Sequence, residues 1–386
     1  MIWTTVALDL IGFGIILPVL PRFAEDAGAS PTAAGVLVAS FSVAQLLFAP
    51  VWGRVSDRIG RKPVLIVSLV GTAVGSLLTG LAGGALWLLF VGRAVDGASG
   101  ASVSVAQAAV TDLADPDQRP RLLGLLGAAF GAGFALGPAI GGIAALVDHR
   151  LPFFIAAAIA GGNALVAVKR LPETRSGRAE PAAADSPRPE RRQTHDVPGL
   201  VPLITTSFIA VVAFSGFEAT FSLLTKARFE LSESATYGVF FVIGVAIVVV
   251  QGGLIHTVAA QLGETRTIRL GLASNAAGLL LVAADAGWAS LGVGLVLLVF
   301  GQGLVTPTLA SAVAGRARDE RRGVVLGFQQ SAGGLARVVG PSAAGAMFEH
   351  IGVASPYVVG ALLAVVALAL VPAPAPAEVA RVESAA

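Results

Sequence analysis

Gly53-Arg54-Val55-Ser56-Asp57-Arg58-Ile59-Gly60-Arg61-Lys62 is a short charged interruption in a chain that is otherwise strongly apolar. An apolar run over about 33–53 leads into it and another over about 63–83 leads out. Each is close to the ~20 residues that an α-helix needs to cross a hydrocarbon layer. The ten residues therefore form a tight turn between two membrane-crossing helices. Gly53 and Gly60 permit that turn and a close helix approach. Asp57 is suited to meet cations or a helix N-terminus, while Arg58, Arg61 and Lys62 stay on the aqueous side.

Outward from this turn the same alternation covers the whole chain. Of 386 residues, 55% are hydrophobic and 13% charged, with a mean hydropathy of +0.80. Soluble globular proteins carry about 25% charged residues, so too little polar surface exists here to cover a soluble core of this size. A soluble enzyme is excluded. The apolar residues come in long runs without the two-residue alternation of a β-barrel, so the class is an all-α membrane protein. The chain has no cysteine and only four histidines. Disulfides are excluded, and no metal-ligand spacing exists. Nothing resembles a phosphate-binding loop, so no cofactor is expected and ATP is not the direct energy source.

Twelve transmembrane helices are expected, at about 2–23, 33–53, 63–83, 85–110, 121–147, 152–170, 200–224, 234–257, 267–285, 288–313, 323–349 and 354–373. No cleavable leader is expected ahead of the first. The expected organisation is an N-terminal six-helix bundle over 1–170, a polar cytoplasmic linker over 171–199, a C-terminal six-helix bundle over 200–373 and a disordered tail over 374–386. Of 26 Lys and Arg residues, 20 fall on the side of the linker, four (Arg22, Arg150, Lys226 and Arg228) on the other, and Arg93 and Arg337 lie within spans. That asymmetry puts both termini in the cytoplasm. Arginine outnumbers lysine 23 to 3 in an alanine- and glycine-rich chain, which suits a bacterial protein of the inner (plasma) membrane.

The halves repeat at an offset of 203 residues. Gly60 falls on Gly263, Gly124 on Gly327, and Gly137-Pro138 on Gly340-Pro341. One constant offset indicates duplication, and parallel six-helix halves are a transporter architecture. The second copy of the loop is degenerate. His256 and Ala260 stand where Gly53 and Asp57 would, so the latch is expected on one side only.

The loop resembles the signature of the major facilitator superfamily, G-x-x-x-D-R-x-G-R-[RK], between spans 2 and 3. In that family the loop latches the two halves on the inner side. Span 5 reads Gly124-x8-Gly133-x3-Gly137-Pro138-x2-Gly141-Gly142 and is similar to the family's antiporter signature. Glycines four apart make a smooth face for close packing, and Pro138 can bend the helix. Span 4 carries Arg93-Ala-Val-Asp96-Gly97, similar to the family's R-x-x-[QS]-G except at Asp96. Two readings of that pair stand open: mutual neutralisation within one helical turn, and an arginine that acts on a neighbouring carboxylate.

Span 1, Asp9-Leu-Ile-Gly12-Phe13-Gly14, resembles the tetracycline-pump branch of the drug:proton antiporters, in which the matching aspartate is needed for transport. Glu218 in span 7 is a second intramembrane carboxylate. Phe13, Phe214, Phe217 and Phe221 are expected to line a substrate cavity. Three readings of Arg337 in span 11 stand open: it balances Glu218, binds an anionic substrate group, or snorkels and holds the helix pair. Asp9, Arg93, Asp96, Glu218 and Arg337 together form the expected proton-coupling and transport set. The acids that the tetracycline branch carries in spans 3 and 9 fall here on Gly75 and Asn275, both neutral. The expected function is proton-coupled export of a lipophilic drug or metabolite, not of a metal-chelated tetracycline. A sugar-type uptake carrier and a non-transporting membrane sensor are the rivals. Partners are a small-molecule substrate, protons and the lipid bilayer, with no nucleic acid. A monomer is expected.

Overall fold

The computed structural model describes residues 2–113, 129, 133, 136–171, 173, 199–317 and 322–373. Gly124 and most of the linker, loop 4–5 and tail lie outside them. The chain is helical almost throughout. In order the helices are α1 (Ile2–Ile16), α2 (Leu20–Asp26), α3 (Pro31–Ile59), α4 (Arg61–Leu81), α5 (Leu86–Ser99), α6 (Ser102–Leu113), α7 (Leu136–Ala145), α8 (Leu151–Arg170) and α9 (Leu200–Phe229). They continue with α10 (Glu233–Val249), a π-helical turn (Val250–Leu254), α11 (Ile255–Ala283), α12 (Gly287–Arg316), α13 (Arg322–His350) and α14 (Ser355–Leu370).

Among the described residues six of these helices are long and apolar enough to cross a membrane, and the bent pair α1–α2 makes a seventh. The remaining expected spans depart from a plain apolar rod for identifiable reasons. Span 1 bends by 40° ahead of Leu20, next to Pro18 and Pro21, where proline withholds backbone donors. Span 4, expected as one helix over 85–110, is broken at Gly100-Ala101. Neighbouring side chains satisfy the freed backbone there, as a membrane interior requires. Gln45 donates to the Gly100 carbonyl at 2.9 Å, Trp52 to the Ala98 carbonyl at 2.6 Å, and Ser68 to the Ser99 carbonyl at 2.5 Å. α14 has 16 residues, about 24 Å at 1.5 Å per residue. Leucines and valines such as Leu47, Leu165, Val242 and Leu362 stand exposed on the helix surfaces, as a protein solvated by lipid demands.

The chain divides into two compact units. One comprises Met1–Ser30, Ser40–Arg191 and Leu231–Gly244, the other Pro31–Ala39, Arg192–Glu230 and Val245–Ala386. They follow the two expected bundles except that the first turns of α3 and α10 exchange places. Inside the first unit α4 packs on α5 and α8, and α1 packs on α8. Inside the second, α11 packs on α12 and α14, and α9 packs on α14. The same neighbour pattern recurs at the sequence offset. The turns recur too: Gly60 has φ 102° and ψ 164°, Gly263 φ 76° and ψ 165°. Such positive φ values favour glycine.

Candidate functional site

The span 5 glycines face protein. A Cβ on Gly137 would lie 2.6 Å from the Cα of Gly14, and one on Gly133 would lie 2.6 Å from the Leu10 carbonyl oxygen. α7 therefore crosses α1 at backbone contact, which only residues without side chains allow. Gly141 and Gly142 instead meet Tyr237, whose Cβ would be 2.7 Å from a Cβ on Gly142. In the second unit Gly340 meets Ser215 and Gly216 in the same manner.

That crossing positions α1 and its Asp9. The carboxylate accepts a hydrogen bond from Ser102, the first residue of α6, at 2.5 Å through Oδ2. Its Oδ1 is buried without a partner. One turn further, Phe13 packs on Phe41 with centroids 5.4 Å apart. The guanidinium of Arg93 lies 4.6 Å over the other neighbour of that contact, the Phe41 ring, and pairs with Asp96 at 2.8 Å. Both members of the pair are buried, and Asp96 takes a further hydrogen bond from Thr72. Asp9, Phe13, Arg93 and Asp96 are thus gathered into one cluster of the first unit. Ser102, Phe41 and Thr72 complete it, three residues that the sequence reading passed over because Ser, Thr and Phe are ordinary in membrane helices. The cluster also explains Gly75. A Cβ there would lie 2.7 Å from that of Asp96, so α4 has no room for an acid at that crossing.

Glu218 and Arg337 belong to the second unit. They feel each other's charge, yet neither makes a hydrogen bond or an ion pair among the described residues. Glu218 and Phe214 are half-exposed on one face of α9, and Arg337 stands exposed on α13. Gln330 and Arg337, seven residues apart on α13, fall on one face at helical spacing. Phe217 and Phe221 correct an expectation. They are buried in the helix packing at 2% and 0% exposure, with Phe217 edge-on to Tyr357, and do not line open space. Phe13 and Phe214 are half-buried.

At the charged loop Asp57 pairs with Arg61 at 2.8 Å, and Arg61 pairs with Asp112 at 2.9 Å and donates to Ser56 at 2.6 Å. Gly53, Arg58 and Lys62 reach outward. Glu173 accepts from the backbone N–H groups of Arg61 at 2.9 Å and Lys62 at 3.3 Å, capping α4, which satisfies orphan donors and suits the helix dipole. A Cβ on Gly60 would strike that carboxylate. Glu173, early in the expected linker, is therefore bonded into the charged loop, a contact that its position after an apolar span did not announce. In the second unit Glu264 replaces Arg61 and accepts a hydrogen bond from Ser311. Among the described residues no group of three or more His, Asp or Glu side chains is placed to hold a metal ion.

A glycine-stitched, twice-repeated helical assembly with charges buried inside its spans has the build of a multi-pass membrane transporter. A family model of the Major Facilitator Superfamily matches residues 2–261 and 254–386, and the chain belongs to that superfamily, near its tetracycline-efflux-like branch. It is 32% identical over 343 residues to the tetracycline resistance protein, class C, of Escherichia coli, covering 87% of this chain and 86% of that one. It is 27% identical over 374 residues to multidrug resistance protein 2 of Bacillus subtilis, covering 95% and 92%. The solved structure of the human organic anion transporter MFSD10 is similar with a TM-score of 0.74 at 27% identity, covering 96% of this chain and 98% of that one.

Proposed function

We propose that this chain is a proton-coupled exporter of lipophilic, neutral or weakly cationic small molecules. It works by alternating access in a bacterial inner membrane, as a monomer, with both termini in the cytoplasm. The observation that carries the reading is Asp9: one carboxylate oxygen bonded to Ser102 and the other buried without a partner, beside the Phe13–Phe41 face. A carboxylate held like this inside a span marks a proton or cation path. Proton and substrate then favour different states of one equilibrium, which is what exchange requires. The glycine crossing of α1 and α7 supports a helix pair that can shift without side chains interlocking. Likeness to tetracycline and multidrug resistance proteins supports export over uptake.

Metal-chelated tetracycline is not the substrate on this reading. A divalent chelate needs carboxylates around it, whereas Gly75 is a backbone crossing point and Asn275 donates to Gln302 at 3.4 Å. A second reading, export of an organic anion, rests on Arg337, an exposed intramembrane cation that makes no ion pair among the described residues, and on the likeness to MFSD10.

Expression in a susceptible, pump-deficient host separates these. Tolerance should rise severalfold for lipophilic cationic dyes and little for tetracycline. A large, magnesium-dependent rise in tetracycline tolerance overturns the choice of substrate. Export of carboxylate-bearing dyes that disappears in Arg337→Gln would establish the second reading instead.

A further inference from the structure

The two exchanged segments are each held by a charged side chain from the opposite half of the sequence. We propose that Arg22 is a positioning residue of the transport cycle: a clasp that keeps the first turn of α10 shut against α2, and that must open each time this end of the path opens.

Arg22 is buried at 7% exposure, although its place after an apolar run reads as an outer loop charge. Its guanidinium donates to the Leu231 carbonyl at 2.6 Å and to the Thr236 hydroxyl at 3.1 Å. Leu231 ends the turn that precedes α10, so its carbonyl offers a strong acceptor outside any helix ladder. Burying a guanidinium on neutral acceptors is costly unless the geometry is kept, which makes the contact all-or-none. Beneath it lie Val19, 2% exposed, and Tyr237. Tyr237 seats on Gly142, and its hydroxyl is buried without a partner. That seat is smooth and carries an unsatisfied polar group, so it offers little to hold α10 once the clasp lets go.

A counterpart stands at the 203-residue offset. Gly345 answers Gly142, and a Cβ on it would meet Gly35 at the start of α3. Glu349 of α13 accepts from the backbone N–H of Thr32 at 2.9 Å. A cation grips a carbonyl in one unit and a carboxylate grips an N–H in the other. Each acts at the free end of a helix, where backbone groups lack helical partners. The same two helices, α3 and α10, are released together if both clasps open. The proposal rests on transport by this superfamily and not on the choice of substrate.

The chain's lack of cysteine allows a direct test. Val19→Cys is nearly isosteric and introduces a single thiol under the clasp. In membrane vesicles a membrane-impermeant maleimide should label it slowly. Adding Arg22→Ala should speed labelling about ten- to a hundredfold, the population change that losing a charge-assisted hydrogen bond brings. Thr236→Val, which removes one of the two bonds, should give an intermediate rate and serves alone if Arg22→Ala fails to assemble. Ala156→Cys, at a position buried in α8, reports general loosening. Faster labelling at position 19 with no change at position 156 supports the clasp. Unchanged labelling at position 19 in either variant, or an equal rise at both positions, overturns it.

Discussion

Replacing Gly137 by leucine is expected to abolish transport while the protein still reaches the membrane. A Cβ at this position would lie 2.5–2.7 Å from backbone atoms of Gly14 and Ile15, and backbone cannot yield as a flexible side chain can. Leucine adds three more carbons, so α1 must move away from α7. Overpacking of this sort costs typically ~1–3 kcal/mol. The larger consequence is positional: α1 carries Asp9 and Phe13, and their contacts to Ser102 and Phe41 lie within one or two turns of the crossing. Gly162→Leu and Gly292→Leu are the controls, since nothing lies within 4 Å of a Cβ at either position. Substrate flux per molecule in vesicles should be at background for the first variant and near wild type for the other two. Normal flux in Gly137→Leu would mean that α1 and α7 do not cross there.

Arg93→Ala should bring the largest loss of stability. It leaves Asp96 buried with its main countercharge gone, and breaking a buried ion pair from one side costs about 3–5 kcal/mol. The stacking of the guanidinium on Phe41 is lost as well. Replacing both members, Arg93→Met with Asp96→Leu, removes the unpaired charge and should recover much of that loss. Thermal unfolding in detergent measures both steps. Transport decides between the two readings that the sequence leaves open for this pair. If the double variant regains stability but not flux, the pair acts in the cycle. If flux returns with stability, its role is neutralisation.

Much of the architecture was legible because the physics of membranes leaves few choices. Runs of about 20 apolar residues must be helices. Gly60 and Gly263, 203 residues apart, had to mark equivalent turns once the repeat was recognised. The partner of the span 5 glycines was not legible. Spacing shows that Gly133 and Gly137 share a face, but only the fold brings Gly14 to it. The break in span 4 had a faint trace in the cluster Gly97, Ser99, Gly100 and Ser102.

Within the site, Asp9, Arg93 and Asp96 were found because charges inside spans are conspicuous. Ser102, Phe41 and Thr72 were missed because their residue types are commonplace there. Phe217 and Phe221 were assigned to a cavity from their proximity to Glu218 in sequence, yet they share that stretch of α9 with packed neighbours and lie buried in the core. Arg22 and Glu173 show the opposite error. Charges just beyond apolar runs read as topology markers, yet both are bonded to the backbone of a distant helix end.

Proton coupling through Asp9 is the central claim, and reconstituted protein reports it directly. In liposomes with a trapped pH-sensitive dye and no imposed gradient, an outward-directed step of a transported lipophilic dye should drive protons in the opposite direction. The pH change should be absent with Asp9→Asn and collapse with a protonophore. Substrate movement without any pH change, indifferent to the protonophore and abolished by dissipating a different ion gradient, would contradict the account.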